Sequence, residues 1–133
     1  MTEERELLDE AREAASRSYS PYSDLRVGAV VVAKSGARYQ GTNVENAAYG
    51  SSLCAEAVAI GTAIAAGERE LETVAVISPD LPAIYPCGEC RQHMVEFGVQ
   101  RVILEGADGE PVEQPLEVLL PGGFTDWRQP TAQ

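Results

Sequence analysis

The sequence predicts an α/β domain of three layers, α/β/α, built on a mixed sheet of about five strands. Three observations predict it. Short apolar runs at 27–33, 73–77 and 99–104 alternate with longer segments whose apolar residues recur at helical spacing. Lys34-Ser35-Gly36 separates two strand-like runs as a hairpin turn does. The 133 residues, 44% hydrophobic and 23% charged, have the size and composition of one globular domain, read here as spanning 1–133.

Thr2 to Ser18 reads as a helix. Thr2 can cap it, Glu3, Glu4 and Glu6 sit where the helix dipole favours acid, and Leu7, Leu8, Ala11, Ala14 and Ala15 form one apolar face to cover a sheet. Ser20-Pro21-Tyr22-Ser23 breaks it, and Val27 to Ala33 follows as a buried strand. Arg38 to Thr42 returns as its hairpin partner. The segment 43–50, Asn-Val-Glu-Asn-Ala-Ala-Tyr-Gly, is a polar loop. Cys54 to Ala66 is an alanine-rich helix closed by Gly67, and its small residues suit burial against other helices or subunits. Thr73 to Ile77 is a strand, Ser78 to Pro86 a proline-punctuated loop, and Cys87 to about Gly98 a helix with Met94, Val95 and Phe97 inward. Val99 to Leu104 is a strand, and Gly106 to Gly109 a turn. Pro111 to Glu113 is a weak edge strand, and Leu116 to Leu120 a turn or two of helix. The hairpin is expected at one side of the sheet, with parallel strands beyond it.

The net charge of −11 argues against a nucleic-acid polymer as partner, since that function leaves a basic stripe. A small, largely uncharged ligand fits better. Three cysteines are an odd number, and no signal-peptide pattern precedes them, so a reducing cytoplasm is the expected home. No apolar run reaches the roughly twenty residues of a membrane-spanning helix.

The chemistry gathers at two places that together use every cysteine: Leu53-Cys54-Ala55-Glu56 and Tyr85-Pro86-Cys87-Gly88-Glu89-Cys90-Arg91-Gln92. Each puts cysteine where a loop gives way to a helix. A helix N-terminus lowers a thiol's pKa and favours thiolate. Zinc takes thiolate readily, and three protein ligands leave its fourth position open for water, as catalytic sites do. Glu56, two residues from Cys54, is placed to reach that water and not to share the metal. Three plainer readings compete. Cys87 and Cys90 alone have the spacing of a thioredoxin-like redox pair. Cys54 alone suits a buried core thiol. His93, three residues after Cys90, could close a Cys3His site and make the zinc structural, though it falls on an amphipathic helix where a solvated histidine is the default.

The motifs Cys54-Ala55-Glu56 and Pro86-Cys87-Gly88-Glu89-Cys90, preceded by Asn43-Val44-Glu45-Asn46-Ala47-Ala48-Tyr49, closely resemble those of the small zinc-dependent cytidine deaminases. The similarity runs from Pro21-Tyr22-Ser23 to the Pro121-Gly122-Gly123-Phe124 segment. The resemblance implies that Cys54, Cys87 and Cys90 hold one zinc ion per subunit with a water whose pKa falls toward neutrality. It implies that Glu56 takes that water's proton for attack at C4 of cytosine and passes protons to N3 and the leaving amine, giving uridine and ammonia. Asn43 and Glu45 then bond the ribose hydroxyls, the Ala55 backbone reads the base carbonyl, and Ala47 and Tyr49 line the pocket. In the family a phenylalanine matching Phe124 reaches a neighbouring subunit's site within a homotetramer.

Two departures from that pattern stand out. Leu25 replaces a phenylalanine set against the base, which is expected to widen tolerance for substituted cytosines. Ala57 replaces an arginine that bonds the thiolates, so Arg91 or the helix dipoles must compensate, or the zinc water is less acidic. Blasticidin S deaminase, similar around Cys54 to Ala57 and the helix after it, is the neighbouring enzyme reading. A non-catalytic zinc domain is the reading from another class.

Overall fold

The computed structural model describes residues 2–126, and the chain order is α1 (Glu3–Ala15), β1 (Gly28–Ala33), β2 (Arg38–Thr42), α2 (Ala55–Ala65), β3 (Leu71–Ile77), α3 (Gly88–Glu96), β4 (Arg101–Glu105), β5 (Pro111–Pro115) and α4 (Leu116–Leu119). A 3-10 turn at Tyr49–Ser51 interrupts the segment read as loop. The five strands form one sheet in the order β2-β1-β3-β4-β5. Only part of the expected topology holds. The β1/β2 hairpin lies at one edge, but β1 also runs antiparallel to β3, and β4 to β5. Among the described strands the one parallel pair is β3/β4, joined through α3. A connection long enough to hold a helix permits a parallel return, which the short 106–110 turn cannot.

Strand alternation divides the core. Val30, Ala75, Ile77 and Ile103 face α1 and pack with Leu7, Leu8 and Ala11. Ala29, Val31, Val74, Val76, Val102 and Leu104 face the other way, onto α2 and α3 through Ala55, Ala59, Ala63 and Met94. Side chains alternate at period two, so a strand covered on both sides reads as a continuous apolar run, as β1 and β3 do. The result is the three-layer α/β/α arrangement. Caps follow the expected chemistry: Thr2 accepts from the Arg5 backbone N–H at 3.1 Å, and Gly67 takes φ +105° just after α2. Both Cys54 and Cys87 are N-cap residues, of α2 and α3 respectively.

Two glycines set how closely helices approach the sheet. A Cβ on Gly28 would lie 1.8 Å from the Ala11 carbonyl oxygen, and one on Gly41 2.3 Å from the Ala59 nitrogen and 2.5 Å from the Ala55 oxygen. These are backbone atoms, so the helix itself must move. Gly41→Ala is expected to cost about 3 kcal/mol of stability by forcing α2 off β2. Because α2 begins at the cysteine cluster, the same change should weaken zinc retention. Urea unfolding together with metal analysis checks both.

Candidate active site

The three sulfur atoms converge from two helix starts and lie within 4.8 Å of one another, with Cys54 Sγ and Cys87 Sγ 3.9 Å apart. Tetrahedral zinc with Zn–S bonds of about 2.3 Å separates its sulfurs by roughly 3.8 Å. The trio therefore has the dimensions of a zinc site. Cys54 and Cys87 are exposed and Cys90 is buried. Without the metal the thiols share charge. The hydrogen bond from Cys90, helped by Cys87, lowers the Cys54 thiol to about 6, and the same Cys54–Cys90 bond, then burial, holds the Cys90 thiol far above its ordinary range. A metal deprotonates coordinating thiols outright.

The starts of α2 and α3 supply the local positive end. The first intrahelical bond of α2 is Val58 N–H to Cys54 O, so the N–H groups of Ala55, Glu56 and Ala57 have no backbone acceptor within the helix. In α3 the first is Arg91 N–H to Cys87 O. Glu56, on the first turn of α2, is only 5% exposed. Its carboxylate is not among the mutually close ligand atoms. Burial, with negative charge on Cys54 adding to it, raises its pKa from 4.5 to about 7, against a smaller opposing effect of its own backbone N–H.

His93 lies outside the cluster. Its Nε2 pairs with Glu89 Oε1 at 3.5 Å, and its ring borders a groove between α2 and α3 that includes Ala57 and Phe97. His93→Ala is accordingly expected to keep zinc at the parent's stoichiometry. A fall toward zero metal per chain would restore the closed-site reading. Ala57 leaves either Arg91 or the helix dipoles to compensate at the thiolates. Arg91 donates from its Nε to Pro86 O at 2.8 Å and from its Nη1 to Leu119 O at 2.7 Å. No hydrogen bond from it reaches a sulfur among the described residues; it braces the loop entering Cys87, and what lies beside the cluster is the pair of helix starts capped by Cys54 and Cys87.

Beside the cysteines opens a cavity of about 330 Å³. Its lining brings together Leu25, Asn43, Glu45, Ala55 and Glu56 with Cys54 and Cys87. Asn43 is heavily used by the fold: its Oδ1 accepts from Ser18 Oγ at 2.6 Å and from Val27 N–H at 2.9 Å, and its Nδ2 donates to Leu25 O at 2.8 Å. One amide N–H remains for a ligand. Glu45 Oε1 accepts from the Tyr22 and Ser23 backbone N–H groups, and Oε2 from the Ser23 hydroxyl. The hydroxyl bond foremost, then the backbone donors, hold its carboxyl below its ordinary pKa.

Tyr49 and Ala47 are not in this cavity. Tyr49 is 79% exposed, edge-on to Tyr22 with ring centroids 6.4 Å apart, and lines a neighbouring hollow of about 260 Å³ with Ser23, Glu45 and Ser52. Ala47 is exposed. Phe124 is 57% exposed, its carbonyl accepting from Gln92 Nε2 at 2.8 Å. What residue-by-residue reasoning missed is the apolar wall: Val27, Leu53, Ile84 and Tyr85. Their signal was faint, an apolar pair in a proline-rich loop just before Cys87.

Fold and site together define the class, an α/β/α zinc-binding hydrolase domain. The chain belongs to the cytidine and deoxycytidylate deaminase zinc-binding family, whose zinc-binding region matches residues 1–105. It is 38% identical over 121 residues to a cytidine deaminase of Sporosarcina psychrophila, covering 90% of this chain and 89% of that one. The identity is 39% over 121 residues with a cytidine deaminase of Halalkalibacterium halodurans, covering 90% and 92%. Among solved structures, the cytidine deaminase of Burkholderia pseudomallei superposes with a TM-score of 0.84 at 39% identity, covering 93% of this chain and 100% of that one.

Proposed function

We propose that this chain hydrolyses cytidine and deoxycytidine to uridine and deoxyuridine with release of ammonia, in pyrimidine salvage. The observation that carries the reading is the buried Glu56 carboxyl beside three converging cysteine sulfurs, with Glu56, Cys54 and Cys87 lining one cavity, in a member of this family. Cys54, Cys87 and Cys90 would hold the zinc, which when bound supplies Lewis acidity and lowers the pKa of a water. Glu56, poised near neutrality, can take a proton from the attacking water and return protons to N3 of the ring and to the departing amine. Ala55, at the first turn of α2, offers an unpaired N–H to the base carbonyl. The free Asn43 N–H and the remaining lone pairs of Glu45 suit ribose hydroxyls.

Charge favours a nucleoside over a nucleotide. None of the residues lining the two cavities is Lys, Arg or His, and Glu45 is held ionised. A 5′-phosphate would meet a carboxylate with no cation to balance it. Leu25 puts an aliphatic side chain where the family pattern has an aromatic ring, which supports acceptance of N4- or C5-substituted cytosines. A homotetramer with shared sites accounts for Tyr49 and Phe124, aromatic and exposed where the single chain gives them nothing to line beside the cysteines. It also accounts for α2, apolar on nearly every side yet exposing Gly61 and Ala65.

The deciding measurement is loss of cytidine absorbance with ammonia release on protein of known zinc content, run against deoxycytidine, cytidine 5′-monophosphate and blasticidin S. Both nucleosides should turn over, and the monophosphate at least about a hundredfold less efficiently, the scale of discrimination an unmatched polar group imposes. Preference for blasticidin S would move the assignment to that antibiotic, and equal use of the monophosphate would defeat the charge argument. Light scattering of the same sample reads the subunit count.

A further inference from the structure

Besides the 43–54 segment, two segments outside helices and strands wall the cavity. One, 21–27, carries Leu25 and Val27; the other, 78–87, carries Ile84, Tyr85 and Cys87. In each, a non-glycine residue of positive φ directly precedes an apolar residue of the wall: Asp24 (φ 60°) before Leu25, and Ala83 (φ 56°) before Ile84. Left-handed backbone at such positions persists only where its surroundings over-determine it.

The hydrogen-bonded link between the two segments is Arg26 with Asp80. The guanidinium grips the carboxylate through both arms, Nε to Oδ2 at 3.0 Å and Nη2 to Oδ1 at 2.7 Å, and the Arg26 backbone N–H donates to Oδ2 at 2.9 Å. Asp80 is itself fixed, its N–H donating to the hydroxyl of buried Ser78 at 3.1 Å. The pair lies just past Gly28↔Ile77, where the β1/β3 ladder ends, so it prolongs the strand seam into the two loops. Isolated surface ion pairs usually contribute little, but a bidentate fork with an added backbone donor is the geometry that does fix orientation. Arg26 also holds the Asp80 carboxyl down at about 2, so the pair stays charged through the neutral range.

We propose that Arg26 and Asp80 are positioning residues of the nucleoside site, a clamp that fixes the separation of Leu25 from Ile84 and Tyr85 and so how the base is gripped. This rests on the cytidine reading above. Neither side chain lines the cavity, so the pair acts through the wall.

The test is a double-mutant cycle on the zinc-loaded protein with Asp80→Asn, Arg26→Gln and both. Each single variant should raise KM for cytidine about tenfold while kcat stays within about twofold, because ground-state grip is lost and Glu56 is untouched. The double variant should be no worse than the worse single, since the residues act as one unit. Arg26→Lys should not restore KM, having no fork. Amide hydrogen exchange should quicken at 24–27 and 83–85 in the same variants. KM within twofold of the parent overturns the proposal, and so does a fall in thermal midpoint with KM and local exchange unchanged. If the parent itself releases no ammonia from cytidine, the cytidine reading fails on its own and exchange decides the clamp: quickened exchange in both segments upholds it, and parental rates overturn it.

Discussion

Glu56→Gln is expected to lower cytidine turnover by about 10³-fold or more while leaving zinc at the parent's stoichiometry. A positioned proton carrier contributes on the order of 10² to 10⁴, and glutamine keeps the size and hydrogen-bonding reach of the side chain while losing the capacity to accept the water's proton. The Glu56 carboxylate is not among the mutually close ligand atoms, so the metal should not depend on it. The same variant makes a second, independent statement about stability. Burial raises the Glu56 pKa from 4.5 to about 7. Between those values the folded chain holds a proton that the unfolded chain has lost. The contribution of this carboxyl to stability is therefore full below about pH 4.5 and is lost as pH rises through about 7. Glutamine cannot ionise and escapes that loss. In chelator-treated protein, Glu56→Gln should gain about 3 kcal/mol on the parent between pH 4 and pH 8, from roughly 2.5 pKa units at 1.36 kcal/mol each. Urea midpoints at the two pH values measure it. An active Glu56→Gln protein would remove the carboxylate from the reaction altogether.

Cys87→Ala should abolish deamination and bring bound zinc close to none. Cys87 is exposed, so its truncation removes little packing, unlike Cys90, which belongs to the core around Met94 and Val102. That difference isolates the metal. With free zinc at a thousandfold its Kd, binding stabilises the parent by about 4 kcal/mol, and a chelator should withdraw that amount. The variant should unfold at one midpoint with or without chelator. A Cys87→Ala chain that kept zinc tightly would mean that some other group completes the site.

The parts of the site legible in the sequence share a cause. Cys54, Glu56, Cys87 and Cys90 are reactive residue types tied to helix starts, and a helix start has a local signature in capping, glycine and the apolar spacing that follows. Asn43 and Glu45 became legible through the family resemblance. The structure adds that both are already bonded to the segment around Ser18 to Val27, so they shape the cavity as well as line it. The placement of Tyr49, Ala47 and Arg91 is less legible, because it depends on where long or exposed side chains turn. That direction is set by neighbours far along the chain, such as Leu119 for Arg91 and Tyr22 for Tyr49.

By itself the sequence determined the strands and helices to within a few residues, the layering, and the thiolate trio with its carboxylate, because alternation, caps and cysteine chemistry are written in short windows. Only the tertiary structure decided that β1 pairs antiparallel with β3, that His93 stays apart from the sulfurs, and that Arg26 meets Asp80 beyond the end of the β1/β3 ladder. Those outcomes join residues tens of positions apart. They follow from how the layers pack, which no local pattern carries.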